Sequence, residues 1–500
     1  MMEMEFGEGL PKLPKGWVSA KITDVCELIN GRAFKPNEWA SEGLPIIRIQ
    51  NLNDDRANFN YCNFTVEEKY FVNNGELLFA WSGTPGTSFG AHIWKRGKAV
   101  LNQHIFRVII NEECIDKVFL MHLLNQNVDE YIRKAHGTAG LAHITKGKFG
   151  NSYIPISPLP EQHRIVAKIE ELFTRLDAGV EALKKIKAQL KLYRQAVLKY
   201  AFEGKLTQEW RETNKGKIEP ASILLERIKE QRKKEAKGKF KELPPIDTSE
   251  LPELPNGWAW ATMEQISTKV VDGVHKKPDY VSKGIPFVTV SNLTAGDEID
   301  FQRVRYISDE DHKNFSKRAN PEKGDILITK DGTLGIARAV KTENQFSIFV
   351  SVAMMKPIKK YVNSDYLAAF INSPIGQSQT RKIGEGSGLR HLHLEDLRTI
   401  PFPIAPFLEQ QKIMEEIESR LSIADNMEKV VDQSLKQSER LRQSILKRAF
   451  EGKLVPQDPT DEPAEKLLER IKEEKAKREV ESKRGKKTSF HRRQNHEQKT

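Results

Sequence analysis

Residues 13–17 read Leu-Pro-Lys-Gly-Trp, and residues 254–258 read Leu-Pro-Asn-Gly-Trp, 241 positions later. The segment Ala-Phe-Glu-Gly-Lys-Leu occurs at residues 201–206 and again, unchanged, at residues 449–454. Further shared segments pair residues 43–52 with 284–293, 140–143 with 388–391, and 224–230 with 467–473. A period this long exceeds that of solenoid repeats, whose units span a few tens of residues. The sequence therefore predicts a whole domain, followed by a helical arm, that is present twice.

The composition favours two domains over one. The chain has 500 residues, 38% of them hydrophobic, which suits two cores of about 150 residues each. Its three cysteines match neither a disulfide framework nor a zinc site, and no apolar run approaches the roughly 18 residues that cross a bilayer. Residues 1–9 are acidic and not apolar, so the sequence predicts a cytoplasmic protein without a signal peptide.

The net charge of +11 is concentrated outside the predicted domains. Residues 227–241 and 471–500 contribute +6 each, whereas residues 14–159 and 255–407 sum to only +2 and +3. A polyanionic partner would therefore be held by local patches and tails, and not by a uniformly basic surface.

Both domains read as sheet-rich α/β mixtures, since short β-branched or aromatic runs alternate with Gly, Asn and Pro. The predicted strands are 45–49, 77–80 and 105–110 in the first domain, and 286–290, 325–329 and 348–355 in the second. Helices are predicted at residues 117–134 and 364–371.

Heptad patterns predict helical arms at residues 161–203 and 409–451, each about 65 Å long if fully helical. The first apolar lines are Ile169, Leu176, Leu183, Leu190 and Val197 in one arm, and Ile417, Ala424, Val431 and Ile445 in the other. The second lines are Ile165, Leu172, Ile186, Tyr193 and Tyr200, and Ile413, Met427 and Leu441. Because neither pattern has another obvious partner, we expect the arms to pair with each other. The alternative is that each arm packs on its own domain.

The predicted fold class is α+β, with two similar mixed α/β domains separated by two long antiparallel helices that form a coiled coil. The order domain–arm–domain–arm gives this fold a pseudo-twofold, circular arrangement, with the domains at opposite ends of a rigid spacer. The predicted segments are an N-terminal extension (1–12), a first domain (13–159), a central arm (160–206), a basic linker and helix (207–253), a second domain (254–407), a C-terminal arm (408–454), and a basic helix and tail (455–500). The two basic helices either dock on a partner or on phosphates, or stay solvated.

No catalytic motif stands out in the sequence. A methyltransferase would need a Gly-rich cofactor loop and an Asn/Asp-Pro-Pro-aromatic motif, and a motor would need Gly-x4-Gly-Lys-Ser/Thr, but neither is present. We therefore predict a recognition and assembly subunit that holds no cofactor or metal of its own and is not an enzyme.

Two glycine loops repeat after apolar strands. Residues 81–86 read Trp-Ser-Gly-Thr-Pro-Gly, and residues 330–335 read Lys-Asp-Gly-Thr-Leu-Gly. Glycine lets backbone approach a phosphodiester, although a tight turn within the domain explains the loops equally well. Scaffold positions agree between the copies while surface candidates differ, as expected of two readers of different targets. His143 recurs as His391, and either orders a loop or contacts a phosphate.

The chain resembles the specificity subunit of type I restriction-modification systems over roughly residues 13–475. The resemblance is carried by the Leu-Pro-x-Gly-Trp segments, the Gly-Thr-x-Gly loops, the Pro-Leu-Pro-Glu-Gln162 and Pro-Phe-Leu-Glu-Gln410 junctions, and the arm ends at residues 194–206 and 442–454. It implies two target recognition domains, each reading one half of a bipartite, asymmetric site in double-stranded DNA. It also implies arms that set the spacing and bind two modification (methyltransferase) subunits, with restriction (motor-nuclease) subunits completing the complex. S-adenosylmethionine and ATP with magnesium are then expected in those partners.

Basic and aromatic loop residues are the candidates for DNA contact, since Arg and Lys recognise guanine and phosphate oxygens. They are Arg32, Lys35, Trp81, Arg96 and Lys98 in the first domain, and Lys276, Lys277, Arg303, Arg305, Lys330 and Arg338 in the second. Two other hypotheses remain open at this stage. The chain could be a structural coiled-coil adaptor whose domains bind protein, or an enzyme whose active site has no recognised motif.

Overall fold

The computed structural model describes residues 13–83, 89–134, 142–235, 240, 242–384 and 391–477, which fall into two compact units. Unit 1 comprises Met1–Leu183 and Gln433–Thr500, and unit 2 comprises Lys184–Asp432. Several sequence predictions lie outside the described residues: the N-terminal extension, the second half of the first glycine loop (84–86), the repeated Gly-Leu pairs at 140–141 and 388–389, and the tail beyond residue 477.

Unit 1 contains short helices and short strands, and the strands form small sheets. Its strands are β1 (Val18–Lys21), β2 (Cys26–Asn30), β3 (Leu44–Ile47), β4 (Asn60–Cys62), β5 (Phe71–Val72), β6 (Leu77–Ala80), β7 (Ser82–Gly83), β8 (Gly90–Ile93), β9 (Ala99–Leu101), β10 (Ile105–Ile110), β11 (Ala142–His143) and β12 (Tyr153–Ile156). Its short helices are α1 (Ile22–Val25), α2 (Ile49–Asn53), α3 (Lys117–Gln126), α4 (Val128–Lys134) and α5 (Lys146–Gly150), with 3-10 turns at Pro36–Glu38 and Glu68–Tyr70. The larger sheets have the orders β2-β10-β6-β8 and β4-β3-β9-β5, and β1 pairs with β12.

The long helix α6 (Leu159–Phe202) leaves unit 1 and continues into unit 2. Unit 2 holds the strands β13 (Ala259–Thr262), β14 (Ser267–Asp272), β15 (Ile285–Val288), β16 (Arg305–Ile307), β17 (Ile326–Thr329), β18 (Ala337–Ala339), β19 (Ser347–Ile348), β20 (Val352–Pro357) and β21 (Pro401–Ile404). Its shorter helices are α7 (Gln208–Thr213), α8 (Ala221–Glu235), α9 (Val290–Thr294), α10 (Asp309–Ser316), α11 (Ser364–Asn372), α12 (Pro374–Gly384) and α13 (Leu394–Thr399). The second long helix, α14 (Phe407–Phe450), runs from unit 2 into unit 1, where residues 464–477 form the described part of helix α15.

The duplication extends to sheet topology. The sheet β14-β20-β17-β18 of unit 2 has the same order as β2-β10-β6-β8 of unit 1, and β13 pairs with β21 as β1 pairs with β12. In each unit one strand pair is parallel, β3 with β9 and β15 with β19, within otherwise antiparallel sheets. These sheets confirm the predicted strands, although the run 348–355 divides into the end of β19 and the start of β20.

The two long helices pair with each other in antiparallel fashion inside each unit. In unit 2, Lys187 lies 2.7 Å from Asp432, and seven residues further along α6, Arg194 lies 2.8 Å from Glu428. In unit 1, Arg442 contacts Asp177 and stacks over Phe173. Exposed ion pairs of this kind contribute at most about 1 kcal/mol each. They therefore show which residues of the two helices lie opposite each other, but they add little to the stability of the helix pair.

The two predicted apolar lines differ in their exposure to solvent. The first lines are buried or half-buried along both helices; Leu190, for example, is 7% exposed. Much of the second lines faces outward, with Ile186 at 36%, Tyr193 at 41% and Met427 at 49% exposure. The prediction of paired arms is confirmed, and the contact between the helices is formed mainly by the first lines. In a regular two-helix coiled coil both heptad lines would face the partner helix, so this pairing departs from that regular geometry along much of its length.

Each domain is fastened to the start of a long helix by repeated residues. The indole Nε1 of Trp17 donates to Glu161 at 3.0 Å, and that of Trp258 donates to Glu409 at 3.0 Å. The next residue in each copy, a buried glutamine, accepts from one backbone amide and donates to a backbone carbonyl of its own domain. The repeats at Leu-Pro-x-Gly-Trp and at Glu-Gln therefore mark two sides of one junction.

The other end of each long helix packs on the domain that did not precede it. Gly204 and Gly452 end the helices with positive φ, and a Cβ there would lie within 2.4 Å of Pro255 and Pro14. The core of unit 2 accordingly includes Phe202 from α6 together with Leu224 and Ile228 from α8. The core of unit 1 likewise includes Phe450 from α14 together with Leu467 and Ile471 from α15. The apolar faces of α8 and of the described part of α15 thus pack on the domains. Most of their basic side chains stay exposed, although Arg232 and Lys475 are half-buried.

Candidate nucleic-acid interface

Two repeated motifs that lie about 60 residues apart in sequence meet in the fold. In unit 1, β7 of the glycine loop pairs with β11, and Ser82 Oγ lies 2.7 Å from His143 Nδ1. In unit 2, Asp331 bridges to His391 through the backbone, and the carboxylate contacts His391 Nδ1. Both histidines therefore tie a glycine loop to the segment that follows the helices, which supports the loop-ordering interpretation of this repeat.

The residue that opens each glycine loop contacts the last residue of the strand that lies two places away in the same sheet. Trp81 donates from Nε1 to Asn30 Oδ1 at 3.2 Å, while its ring stacks on Phe106. At the equivalent positions of unit 2, Lys330 Nζ lies 2.9 Å from Asp272 Oδ2. One pair of positions thus holds a neutral hydrogen bond in one unit and an ion pair in the other. Both residues of the pair therefore differ between the units, and they differ in a way that keeps them complementary, although they are far apart in sequence.

The structure places Lys330 inside the domain and not on its surface. The residue is 4% exposed, and Asp272 also accepts from Arg318 Nε at 3.1 Å. Burial raises the pKa of Asp272, but hydrogen bonds from Arg318 and Lys330, together with their charges, outweigh burial and hold that pKa below its ordinary value. The prediction of Lys330 as a surface loop cation is therefore corrected: it neutralises a buried carboxylate.

Arg338 and Arg303 are also committed to contacts within unit 2. The Nε and Nη2 atoms of Arg338 donate to the carbonyl of Gly296 at 3.1 and 2.6 Å, and burial lowers the pKa of this guanidinium. Arg338 therefore ties β18 to the loop after α9. Arg303 extends into solvent but forms an ion pair with Asp300 at 2.7 Å.

Four other predicted cations lie over aromatic rings of their own unit. Arg96 lies 4.0 Å from the ring centre of Phe59, and Arg32 lies 4.8 Å from that of Phe34 while pairing with Glu38. Lys98 and Arg305 are placed 4.7 Å over the rings of Phe71 and Tyr280. Cation–π contact of this kind holds the charged head in one place at a partly exposed site. It leaves Lys98 and Arg305 exposed and Arg32 and Arg96 half-buried.

Three predicted lysines are exposed in comparable positions of the two units. Lys35 precedes the 3-10 turn at Pro36–Glu38, and Lys276 and Lys277 follow the end of β14. Each lies shortly after a glycine, Gly31 or Gly273, at which a Cβ would lie 2.1 Å from a carbonyl oxygen of the neighbouring chain segment. These close backbone contacts fix where each lysine loop begins. The lysine ammonium groups are the cations of the predicted set best placed for phosphate oxygens.

Sequence reasoning missed the partners of the loop-opening residues. Asn30, Asp272 and Arg318 were not candidates, because only the fold brings them to the glycine loops. The paired difference between the copies, Trp81 with Asn30 against Lys330 with Asp272, was the signal that could have found the first two. No group of His, Cys, Asp or Glu among the described residues is arranged to hold a metal ion.

A duplicated α/β domain, two antiparallel long helices and an exposed lysine segment in each unit define the class of a recognition protein with two similar domains. The family model for the type I restriction modification DNA specificity domain matches residues 14–192 and 271–436, more than half of the chain. The chain therefore belongs to this family, and it is a specificity subunit and not an enzyme in itself. The predicted family and fold class are both confirmed.

Relatives and solved structures agree with this assignment. The chain is 27% identical to the type I restriction enzyme EcoBI specificity subunit of Escherichia coli, over 94% of both chains. It is 25% identical to the EcoKI specificity subunit of Escherichia coli strain K12, over 93% of this chain and 97% of that one. A chain from a solved type I restriction-modification assembly matches the fold with a TM-score of 0.63 at 19% identity, covering 89% of this chain and all of that one. The HsdS subunit from Thermoanaerobacter tengcongensis matches with a TM-score of 0.51 at 18% identity, covering 90% and 100%.

Proposed function

We propose that each unit reads one half of a bipartite, asymmetric DNA site, with the glycine loop and its neighbouring lysine loop facing the duplex. The observation that carries the proposal is the matched difference at one scaffold position. Trp81 with Asn30 in unit 1 and Lys330 with Asp272 in unit 2 give the two loops different supports. Two readers on one face of B-DNA sit about one helical turn apart, ~34 Å, and the long helices set that spacing.

The charge distribution supports the proposal that some residues contact phosphates and others contact bases. The two domains are close to neutral, so a uniformly basic surface does not hold the DNA. Lys35, Lys276 and Lys277 contact phosphates and set the register. Base edges are then read by side chains such as Arg32 and Arg305, which lie at fixed positions over aromatic rings.

The chemistry is supplied by partner chains in the cytoplasm. Two modification subunits, which bind S-adenosylmethionine, dock on the long helices, and restriction subunits that use ATP and magnesium complete the assembly. Support comes from the apolar side chains that the helices leave exposed within unit 2: Ile186, Leu192, Tyr193, Tyr200, Leu408, Ile423, Met427 and Val430. Such a surface on a paired helix suits further helices from a partner. Among the described residues, no helix combines the length and apolar character needed to cross a membrane.

Ile186→Ser combined with Tyr193→Ser tests this docking surface. Both side chains are exposed, so the free energy of unfolding of the chain should change by no more than about 0.5 kcal/mol. Affinity for the modification subunit should fall by at least about tenfold, because the partner loses two apolar anchors. Leu190→Ala is the matched control: this buried seam residue should lower stability by about 2–4 kcal/mol. Unchanged partner affinity in the double variant would reject the surface.

Genome-wide mapping of methylated adenines tests the function itself. Cells that contain the chain and its partners should carry one bipartite methylated motif, and cells lacking only this chain should lose it completely. Purified chain alone should transfer no methyl group from S-adenosylmethionine. Methylation that persists without the chain would favour the adaptor hypothesis, and transfer by the isolated chain would favour the enzyme hypothesis.

A further inference from the structure

The two buried junction glutamates, Glu161 and Glu409, are equivalent in sequence but not in their surroundings. In unit 2 both carboxylate oxygens of Glu409 are satisfied: Oε2 accepts from Trp258, and Oε1 accepts from Thr207 at 2.7 Å and Arg211 Nε at 2.9 Å. The guanidinium of Arg211 therefore closes the junction of unit 2. It is carried there by α7, which begins one residue after Thr207.

The corresponding segment of unit 1 lacks that helix. Between the repeats that end at Leu206 and begin at Leu224 there are 17 residues, whereas only 12 separate Leu454 from Leu467. Residues 455–463 form no helix, and no arginine occurs among them. The five missing residues remove the structural equivalent of α7 and with it the counterpart of Arg211.

A cavity of about 290 Å³ lies at this junction of unit 1, lined by Trp17, Glu161, Asp458, Asp461 and Glu465 among others. Glu161 is 1% exposed, and its Oε2 accepts from Trp17. Its other oxygen, Oε1, meets no donor of the described residues at hydrogen-bond distance and angle, and the side-chain amide of Gln457, which also lines the cavity, interacts with this carboxylate without meeting that geometry. A buried carboxylate oxygen without a donor is costly, so the site as it stands is incomplete.

The neighbouring charges make the cavity acidic but do not satisfy Glu161. Asp461 pairs with Arg164 at 2.7 Å, and Asp458 accepts from Thr460, whereas Lys15 is the one lysine of the lining. Burial raises the pKa of Glu161, and the hydrogen bond from Trp17 and the charge of Arg164 oppose this shift without cancelling it. The chemistry that fits is a planar cation with several N–H donors, as in unit 2.

We propose that this cavity binds a guanidinium group at the end of an arginine side chain supplied by another protein, in the place that Arg211 fills in unit 2. The guanidinium donates to Glu161 Oε1 and lies beside the Trp17 ring, as Arg211 lies beside Trp258. The site is separate from the glycine loops, so it stands or falls independently of the DNA-reading proposal.

Titration of the full chain with agmatine, a guanidinium on a short alkyl chain, tests the site through the indole N–H resonances of ¹⁵N-labelled tryptophan. The Trp17 resonance should shift with millimolar agmatine, and the Trp258 resonance should not, because Glu409 already holds Arg211. The control 1-aminobutane, at equal ionic strength, should leave Trp17 unshifted. In Glu161→Gln the apparent affinity should fall at least tenfold, since a neutral amide replaces the charged acceptor while keeping an oxygen for Trp17.

Two further variants identify what fills the cavity. Arg211→Ala should open the equivalent site in unit 2, so that agmatine now shifts Trp258 as well. A chain ending at Lys477 removes the last four arginines of the sequence. If only this shortened chain responds to agmatine, the chain's own tail occupies the cavity and the assignment to another protein is wrong. No Trp17 shift in either chain means that the cavity binds no guanidinium, and an equal shift with 1-aminobutane or in Glu161→Gln means that the response does not depend on a guanidinium contact with Glu161. Each of these results overturns the proposal.

Discussion

Asp272→Ala is expected to lower the free energy of unfolding of unit 2 by about 3–5 kcal/mol, because it leaves the ammonium of Lys330 buried without a counter-ion. Lys330 and Asp272 are 5% and 4% exposed at their side chains, so water cannot replace the carboxylate. Arg318 is 48% exposed and can turn toward solvent, which is why the loss is assigned mainly to Lys330. Hydrogen exchange of β14 and β17, the strands that end in this pair, should accelerate first.

The double variant Asp272→Ala with Lys330→Met is the control. Replacing both members of a buried ion pair by apolar groups removes the uncompensated charge, so most of the lost stability should return. If the second substitution does not restore stability, the Asp272 carboxylate stabilises unit 2 through contacts other than its ion pair with Lys330. The pKa of Asp272 is lowered in the fold, so its contribution is present above the ordinary carboxyl pKa and disappears as the pH falls through the lowered value. Asp272→Ala should therefore lower the stability of unit 2 at neutral pH and weaken the dependence of that stability on pH in the acid range.

Exchange of residues 14–159 for the first domain of a related specificity subunit is expected to replace one half of the methylated motif completely and leave the other half unchanged. The physical reason is that the side chains proposed to face DNA in unit 1 all lie within this segment. Exchange of residues 255–407 is the matched control and should change only the other half. A motif altered in both halves, or in neither, would reject the assignment of one half-site to each domain.

The structure sets a condition on this exchange. The core of unit 1 is closed by residues outside the exchanged segment, including Phe450, whose ring lies 5.4 Å from that of Phe119, and Glu161, which accepts from Trp17. The donor domain must therefore present an aromatic residue at position 119 and a tryptophan at position 17. A graft that lacks them should fail to fold, and a graft that restores them should recover both stability and methylation.

Much of the architecture was predictable because it follows from local or repeated patterns. The heptads at residues 161–203 and 409–451 predicted helices that the structure gives as Leu159–Phe202 and Phe407–Phe450. Repetition identified the junctions before their chemistry was known, since Trp17 and Glu161 recur as Trp258 and Glu409. The outward-facing second apolar line was missed, because a heptad pattern does not say how many helices will cover it.

The candidate interface was predictable only as a neighbourhood. The glycine loops and the repeated histidines were found from the sequence, and the fold joins them through Ser82 with His143 and Asp331 with His391. Residue type alone did not distinguish the cations that are exposed from those that are buried. Lys276 and Lys330 are both lysines near glycines, yet one is exposed and the other is buried against Asp272.

The sequence by itself determined the duplication, the two long helices and the family, because each is encoded in residue order, period or spacing. Only the tertiary structure decided which arm end closes which domain, which cations remain free, and which of two equivalent glutamates keeps an unsatisfied oxygen. Burial and pairing depend on residues hundreds of positions apart, such as Trp17 with Glu161 and Thr207 with Glu409. Such distances become contacts only when the chain has folded, and the free energy of a charged group is set by those contacts and not by its place in the sequence.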